Sequence, residues 1–236
     1  MTRVLVIEHE ALAGAGLIGE RLQEHGVELV EYRPYAGGEP LPENLDGYAA
    51  LIVLGGSMGP TDDVEAPWLP VTRKLLAEAV EQELPTLGIC LGAQLLSTAT
   101  GGHVRSIPEG PEVGLCSVQL TEAASDDPLL AGIAGLELPV VQWHWLESDR
   151  LPPGAVLLAS SRACANQVYR LGPRAWGLQF HPEALGRTAG DWVDLEDISE
   201  FGFDPEAVVG DVRGAEPRLR STWQLFADRF AGLLRP

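Results

Sequence analysis

Short apolar runs alternate with segments of helical spacing through the first half of the chain. Residues 4–7, 51–54 and 84–90 are brief apolar stretches, the right length for strands and too short for helices. Between them, Leu12, Ile18 and Leu22 predict a helix that stops near Gly26. Val71, Leu75, Leu76, Ala79 and Val80 recur at i, i+4, i+5, i+8 and i+9. Arg73, Lys74, Glu78 and Glu81 fall on the other side, which predicts a second amphipathic helix. Strands of this kind alternating with helices imply βαβ units around a parallel sheet covered on both faces.

The second half is different. Segments 113–121, 138–143, 155–160, 165–170 and 174–180 are short and β-prone, separated by turns such as Pro152-Pro153-Gly154 and Gly172-Pro173. They extend the same sheet in an antiparallel or mixed fashion. The fold expected is an α/β three-layer sandwich with a mostly parallel central sheet, and no linker or repeat divides residues 1–236 into more than one domain. Leu219, Trp223, Phe226, Phe230 and Leu233 predict a closing helix over 217–234. Before it, residues 191–211 carry Asp191, Asp194, Glu196, Asp197, Glu200, Asp204, Glu206 and Asp211 and no basic residue. Like charges in a run repel and stay solvated. This excursion is therefore expected to be an appendage outside the catalytic machinery, with Trp192, Phe201 and Phe203 tucked onto the core. A lid, or a docking surface for a basic partner, is the competing reading.

Composition narrows the function classes. A chain of 236 residues suits one large domain, able to bury about 70% of the surface its unfolded state exposes. A formal net charge of −18 argues against nucleic acid or an anionic membrane as partner. No segment approaches the ~18 apolar residues of a membrane span, and the first residues lack the basic start and apolar length of a signal peptide. Cys90, Cys116 and Cys164 are widely spaced and form no Cys-x-x-Cys pair. Free thiols and a cytoplasmic location are expected, with no disulfide framework and no metal site.

Three motifs carry chemistry. Gly88-Ile89-Cys90-Leu91-Gly92-Ala93-Gln94 follows an apolar strand and opens a helix. A nucleophile on such a turn is held with its side chain exposed, and small residues two before and two after avoid clashes. The helix N-terminus beside it favours negative charge on sulfur. Alone, the motif could also be a buried cysteine before an ordinary glycine turn. Gln179-Phe180-His181-Pro182-Glu183 ends another apolar run, at the same edge of a parallel sheet. There His181 could take the thiol proton and Glu183 could orient the imidazole, although Pro-Glu is also a common helix opening. The loop Leu54-Gly55-Gly56-Ser57-Met58-Gly59-Pro60 ends the second strand. Backbone N–H groups in such a loop can face an anion, and the Gly-Lys-Ser/Thr of a phosphate loop is missing.

Together, Gly55-Gly56, the Gly-Ile-Cys-Leu-Gly-Ala-Gln elbow and Gln-Phe-His-Pro-Glu resemble the class I glutamine amidotransferases. Within that family the chain is most similar to stand-alone, GMP-synthase-like domains, on Gln142-Trp143-His144, Leu151-Pro152-Pro153-Gly154-Ala155 and Asn166-Gln167. The resemblance implies a flavodoxin-like α/β fold and a catalytic triad of Cys90, His181 and Glu183. It also implies an oxyanion hole from the Gly56 and Leu91 N–H groups, and substrate contacts from Gln94, Gly55 and His144. The implied reaction is amide hydrolysis of glutamine or a γ-glutamyl small molecule through a γ-glutamyl thioester, with no cofactor and no metal. The chain contains no synthetase domain, so delivery of ammonia would require a separate synthetase subunit. A self-sufficient γ-glutamyl hydrolase or peptidase, and a non-catalytic binding module of the same fold, are the other readings. Where members often carry His-x-Asp after Trp-His, this chain has Trp145-Leu146-Glu147. His9 could reach the mouth of the site but reads better as a loop histidine, His25 and His103 have no evident partner, and Cys116 and Cys164 read as small strand residues.

Overall fold

The purely aliphatic runs become strands buried on both faces, which is why they show no alternation. In the computed structural model, which describes residues 2–133, 135 and 137–234, the chain runs β1 (Arg3–Ile7), α1 (Gly16–Glu24), β2 (Glu28–Tyr32), β3 (Ala50–Val53), α2 (Leu69–Glu81), β4 (Thr86–Ile89), α3 (Leu91–Ala99) and β5 (His103–Ser106). It continues β6 (Glu112–Leu120), β7 (Glu137–His144), β8 (Leu146–Arg150), β9 (Val156–Ser160), β10 (Val168–Leu171), β11 (Ala175–Leu178), α4 (Gly186–Val193) and α5 (Pro205–Leu233). A nine-stranded mixed sheet has the order β2-β1-β3-β4-β11-β10-β9-β6-β7, and β5 pairs with β8 separately. From β2 to β11 neighbours are parallel; from β11 to β7 they are antiparallel. This is the large mixed α/β sheet that the alternation predicts.

Two hydrophobic layers sandwich the sheet. Val4 and Val6 point to one face, with Ile18 and Leu22 of α1, Trp192 of α4 and Trp223, Phe226 and Phe230 of α5. Leu5 and Ile7 point to the other, with Leu75 and Leu76 of α2 and Leu91, Leu95 and Leu96 of α3. The switch of faces along one strand is the period of two that side chains follow in a pleated sheet. Because β3, β4 and β11 are parallel neighbours, their carboxyl ends deliver the Gly55-Gly56 loop, Cys90 and His181 to one edge.

Three expectations need correction. Leu12 lies outside the first helix and is 38% exposed. That helix starts only at Gly16 (φ +43°), where the Leu17 N–H donates to the Glu183 carbonyl at 3.0 Å. The closing helix begins at Pro205, not near 217, and runs through Pro217. Asp204 caps it by accepting from Glu206 N–H at 3.1 Å, with proline at the first helical position and an acid in the first turn. The acidic stretch is thereby divided between the end of α4, a short turn and the first turns of α5, so it is folded and not a free excursion. No helix among the described residues is long and apolar enough to cross a membrane.

Candidate active site

Cys90 sits between β4 and α3 with φ +51° and ψ −107°. A side chain at positive φ is strained, and the surroundings must impose it. They do so through hydrogen bonds and through the absence of two side chains. Cys90 N–H donates to Leu178 O (2.8 Å) and Gly92 N–H to Leu54 O (3.1 Å), tying the turn to β11 and to the end of β3. A Cβ on Gly88 would lie 2.6 Å from Gly92 O, and one on Gly92 would collide with Val53 O. The two glycines flanking the cysteine are thus required by close approach of backbone, as the motif predicts.

His181 follows β11, and its N–H donates to Val141 O of β7 at 2.8 Å, which fixes the ring at the sheet edge. Its Nδ1 lies 2.7 Å from Glu183 Oε1, with both side chains almost fully buried. That pairing leaves Nε2 as the ring nitrogen free for the Cys90 sulfur. Burial works to lower the His181 pKa, but the charges of Glu183 and Cys90 offset it and hold the imidazole well above its ordinary value. The other two thiols are in different surroundings: burial pushes Cys116 up to about 11 and Cys164 up to about 12. Neither lines the cavity that Cys90 faces.

That cavity has a volume of about 470 Å³ and brings together Gly56, Cys90, Gln94, His144 and His181. Gly56 lies on its wall, and Leu91 supplies the first N–H of α3, which has no carbonyl of its own helix to reach. Gln94 donates from Nε2 to Leu146 O (3.1 Å) and to Gln179 Oε1 (3.3 Å). His144 hydrogen-bonds Leu146 O through Nδ1 (2.8 Å), and its Nε2 lies 3.2 Å from Glu112 Oε2. Gly55 lies off the cavity wall, beneath the pair: a Cβ there would come within 2.9 Å of His181 Cε1 and 3.6 Å of Cys90 Cβ. Its place is steric, since it lets the His181 ring and Cys90 approach.

Several neighbours escaped the sequence reading. Gln179 Nε2 donates to Cys90 Sγ at 3.8 Å, and the signal was in the Gln-Phe-His motif itself. His9 is buried beside Gly56, accepts from Trp68 Nε1–H at 2.9 Å, and is lowered to about 4 by desolvation. The acidic stretch holds the largest surprise. Trp192, Leu195 and Glu196 line the cavity, so the segment is a wall of the site and not an appendage away from it. The Trp192 ring packs edge-on against His181, with centroids 4.6 Å apart, and Trp192 Nε1 donates to Leu12 O (3.0 Å). Aromatic side chains bury more area than the carboxylates between them can oppose. Phe201 packs on Trp145, and Phe203 on the Val113, Ile198 and Val208 cluster. Among the described residues no group of His, Cys, Asp or Glu is arranged to hold a metal.

The profile of the family described as Glutamine amidotransferase class-I matches residues 16–193. The glutamine amidotransferase-like protein YfeJ of Salmonella typhimurium is 35% identical over 77% of this chain and 75% of its own length. Gamma-glutamyl peptidase 3 of Arabidopsis thaliana is 28% identical over 68% of this chain and 64% of its own. A glutamine-hydrolyzing GMP synthase of Porphyromonas gingivalis is 35% identical over 71% of this chain, a match that spans 30% of that enzyme. Among solved structures, a glutamine amidotransferase from Thermotoga maritima superposes with a TM-score of 0.87, at 28% identity over 98% of both chains.

Proposed function

The chain belongs to the class I glutamine amidotransferase family, and from that premise we propose that it hydrolyses a γ-glutamyl amide through Cys90, His181 and Glu183. The observation that carries the reading is Cys90 at positive φ on a strand-to-helix turn, beside a buried His181–Glu183 pair. His181 takes the Cys90 thiol proton and the sulfur attacks the δ-carbonyl carbon, so a C–S bond forms as the carbonyl π electrons move to oxygen. The Gly56 and Leu91 N–H groups stabilise that oxyanion. Collapse re-forms the carbonyl and breaks the C–N bond, while His181 gives its proton to the departing nitrogen. Water then attacks the thioester with His181 as base; a C–O bond forms, the C–S bond breaks, and glutamate leaves. Glu183 keeps the imidazole oriented throughout. Gln179 donates to the sulfur, and Gln94, its Nε2 engaged by Leu146 O and Gln179 Oε1, offers its amide oxygen to the part of the substrate beyond the reacting carbon.

A γ-glutamyl chloromethyl ketone tests the assignment. Stoichiometric labelling at Cys90, with no label on Cys116 or Cys164 and no turnover by a folded Cys90→Ala variant, is the expected result. Label elsewhere, or unchanged turnover in Cys90→Ala, overturns it.

The glutamine-hydrolyzing relative favours a second destination for the same chemistry, in which the ammonia passes to a separate synthetase subunit. Glutamine hydrolysis that is weak alone and rises on adding such a subunit would support it.

A further inference from the structure

An aromatic path leads out of the site from the base. The His181 ring meets Trp192 at 4.6 Å, Trp192 meets Trp143 at 5.4 Å, Trp143 meets Trp145 at 6.4 Å, and Trp145 meets Phe201 at 5.8 Å. Three of these rings, Trp143, Trp145 and Trp192, line the cavity together with Met58 and Leu195. Leu195 is 70% and Phe201 48% exposed, so the rim is apolar too. The carboxylates on the cavity wall are Glu10 and Glu196, and among the described residues no lysine or arginine lines it. Glu196 is held in place by Trp143 Nε1–H, which donates to its Oε2 at 3.1 Å.

Size makes the same point. Glutamine has on the order of ten heavy atoms. Even at about 30 Å³ each, the share one water takes in the liquid, it fills roughly 300 Å³. The cavity of about 470 Å³ leaves room for more. Where ammonia is the leaving group, nothing needs to occupy that room, and an apolar wall facing it would only expose tryptophan to water.

We propose that the site takes γ-glutamyl amides whose amine portion is bulky, apolar and free of negative charge, an aromatic or aliphatic amine lying along the Trp192–Trp143–Trp145 wall. This rests on the reading that Cys90 attacks a γ-glutamyl amide. It adds the identity of the group that leaves: C–N cleavage releases the amine, protonated by His181, into a channel lined by π faces and carboxylates. An ammonium that forms there is held by both. An amine portion bearing a carboxylate would be repelled by Glu10 and Glu196 and would find no lysine or arginine on the wall to pair with.

The test compares kcat/KM for γ-glutamyl benzylamide, γ-glutamylglycine and glutamine, with chloromethyl-ketone labelling of Cys90 as an independent readout. The benzylamide is expected to exceed γ-glutamylglycine by about tenfold, the combined effect of aromatic contact along the tryptophan wall and repulsion of the glycine carboxylate by Glu10 and Glu196. Glu196→Lys, an exposed substitution that leaves the fold intact, is expected to narrow that ratio several-fold by favouring the anionic substrate. Glutamine or γ-glutamylglycine matching the benzylamide, with Cys90 labelled, overturns the substrate class and leaves the thioester reading standing. No turnover of any of the three and no label on Cys90 overturns both.

Discussion

His181 sets the pH behaviour of the site. Burial works against its charge, yet Glu183 and Cys90 hold its pKa well above the ordinary histidine value of about 6.5. The sign follows directly. The ring stays protonated as pH rises past the ordinary histidine range and loses its proton only when pH passes the raised value. Glu183→Gln removes a charge 2.7 Å from Nδ1 while keeping the shape. It is expected to move the alkaline limb of kcat/KM to lower pH and to reduce kcat by about 10²- to 10⁴-fold, the scale of losing an orienting carboxylate from a triad. A pH–rate profile on protein of unchanged circular dichroism checks this; an unmoved alkaline limb would show that Glu183 does not govern the base. Gly55→Ala probes the same pair sterically. Its new Cβ would sit 2.9 Å from His181 Cε1, so turnover is expected to fall at least tenfold with only a modest change in melting temperature.

At the level of elements, what could be read from sequence depended on whether the cause was local. The strands β1, β3 and β4 and helix α2 were legible because each is specified by its own apolar pattern. The tight turn at Cys90 was legible because part of its cause is local: a Cβ on Gly88 would meet the backbone of Gly92 four residues on. Edge strand β2, with Glu28 and Glu31 among half-buried residues, and the polar pair β5 and β8 (His103–Ser106 and Leu146–Arg150) were not, because pairing partners distant in sequence define them. The acidic segment was misread for the same reason. Its charges are local, whereas the sites that receive Trp192 and Phe201 are built from β7, from Trp145 between β7 and β8, and from the loop after β11. Trp192 is where α4 grips the catalytic edge. Trp192→Phe keeps a ring beside His181 but loses the bond to Leu12 O, and is expected to cost about 0.5–1.5 kcal/mol in denaturant unfolding with kcat reduced less than tenfold. A collapse of kcat at unchanged stability would instead make the indole N–H part of the chemistry.

Across the whole molecule, acid titration sets two opposing effects against each other. A chain carrying −18 relieves its own repulsion as carboxylates protonate, which favours the folded state on acidification. His9 acts in the opposite direction. It is buried, accepts from Trp68 through Nδ1, and desolvation lowers its pKa to about 4, so in the window between about 4 and 6.5 the unfolded chain binds a proton that the folded chain refuses. Stability from this residue is therefore complete above the unfolded value and is lost as pH falls through the window. At about 1.4 kcal/mol per unit, the loss reaches at most about 3 kcal/mol. His9→Gln keeps an acceptor for Trp68 without the titration. Subtracting the unfolding free energy of the variant from that of the natural chain cancels the shared carboxylate effect, because both proteins carry it. The difference is expected to favour the natural chain most near neutral pH and to shrink by up to about 3 kcal/mol toward pH ~4. Urea titrations of both proteins across that range decide it: a difference that stays flat would mean that His9 takes up its proton in the folded state, and that the wall behind Gly56 is more open to water than its burial indicates.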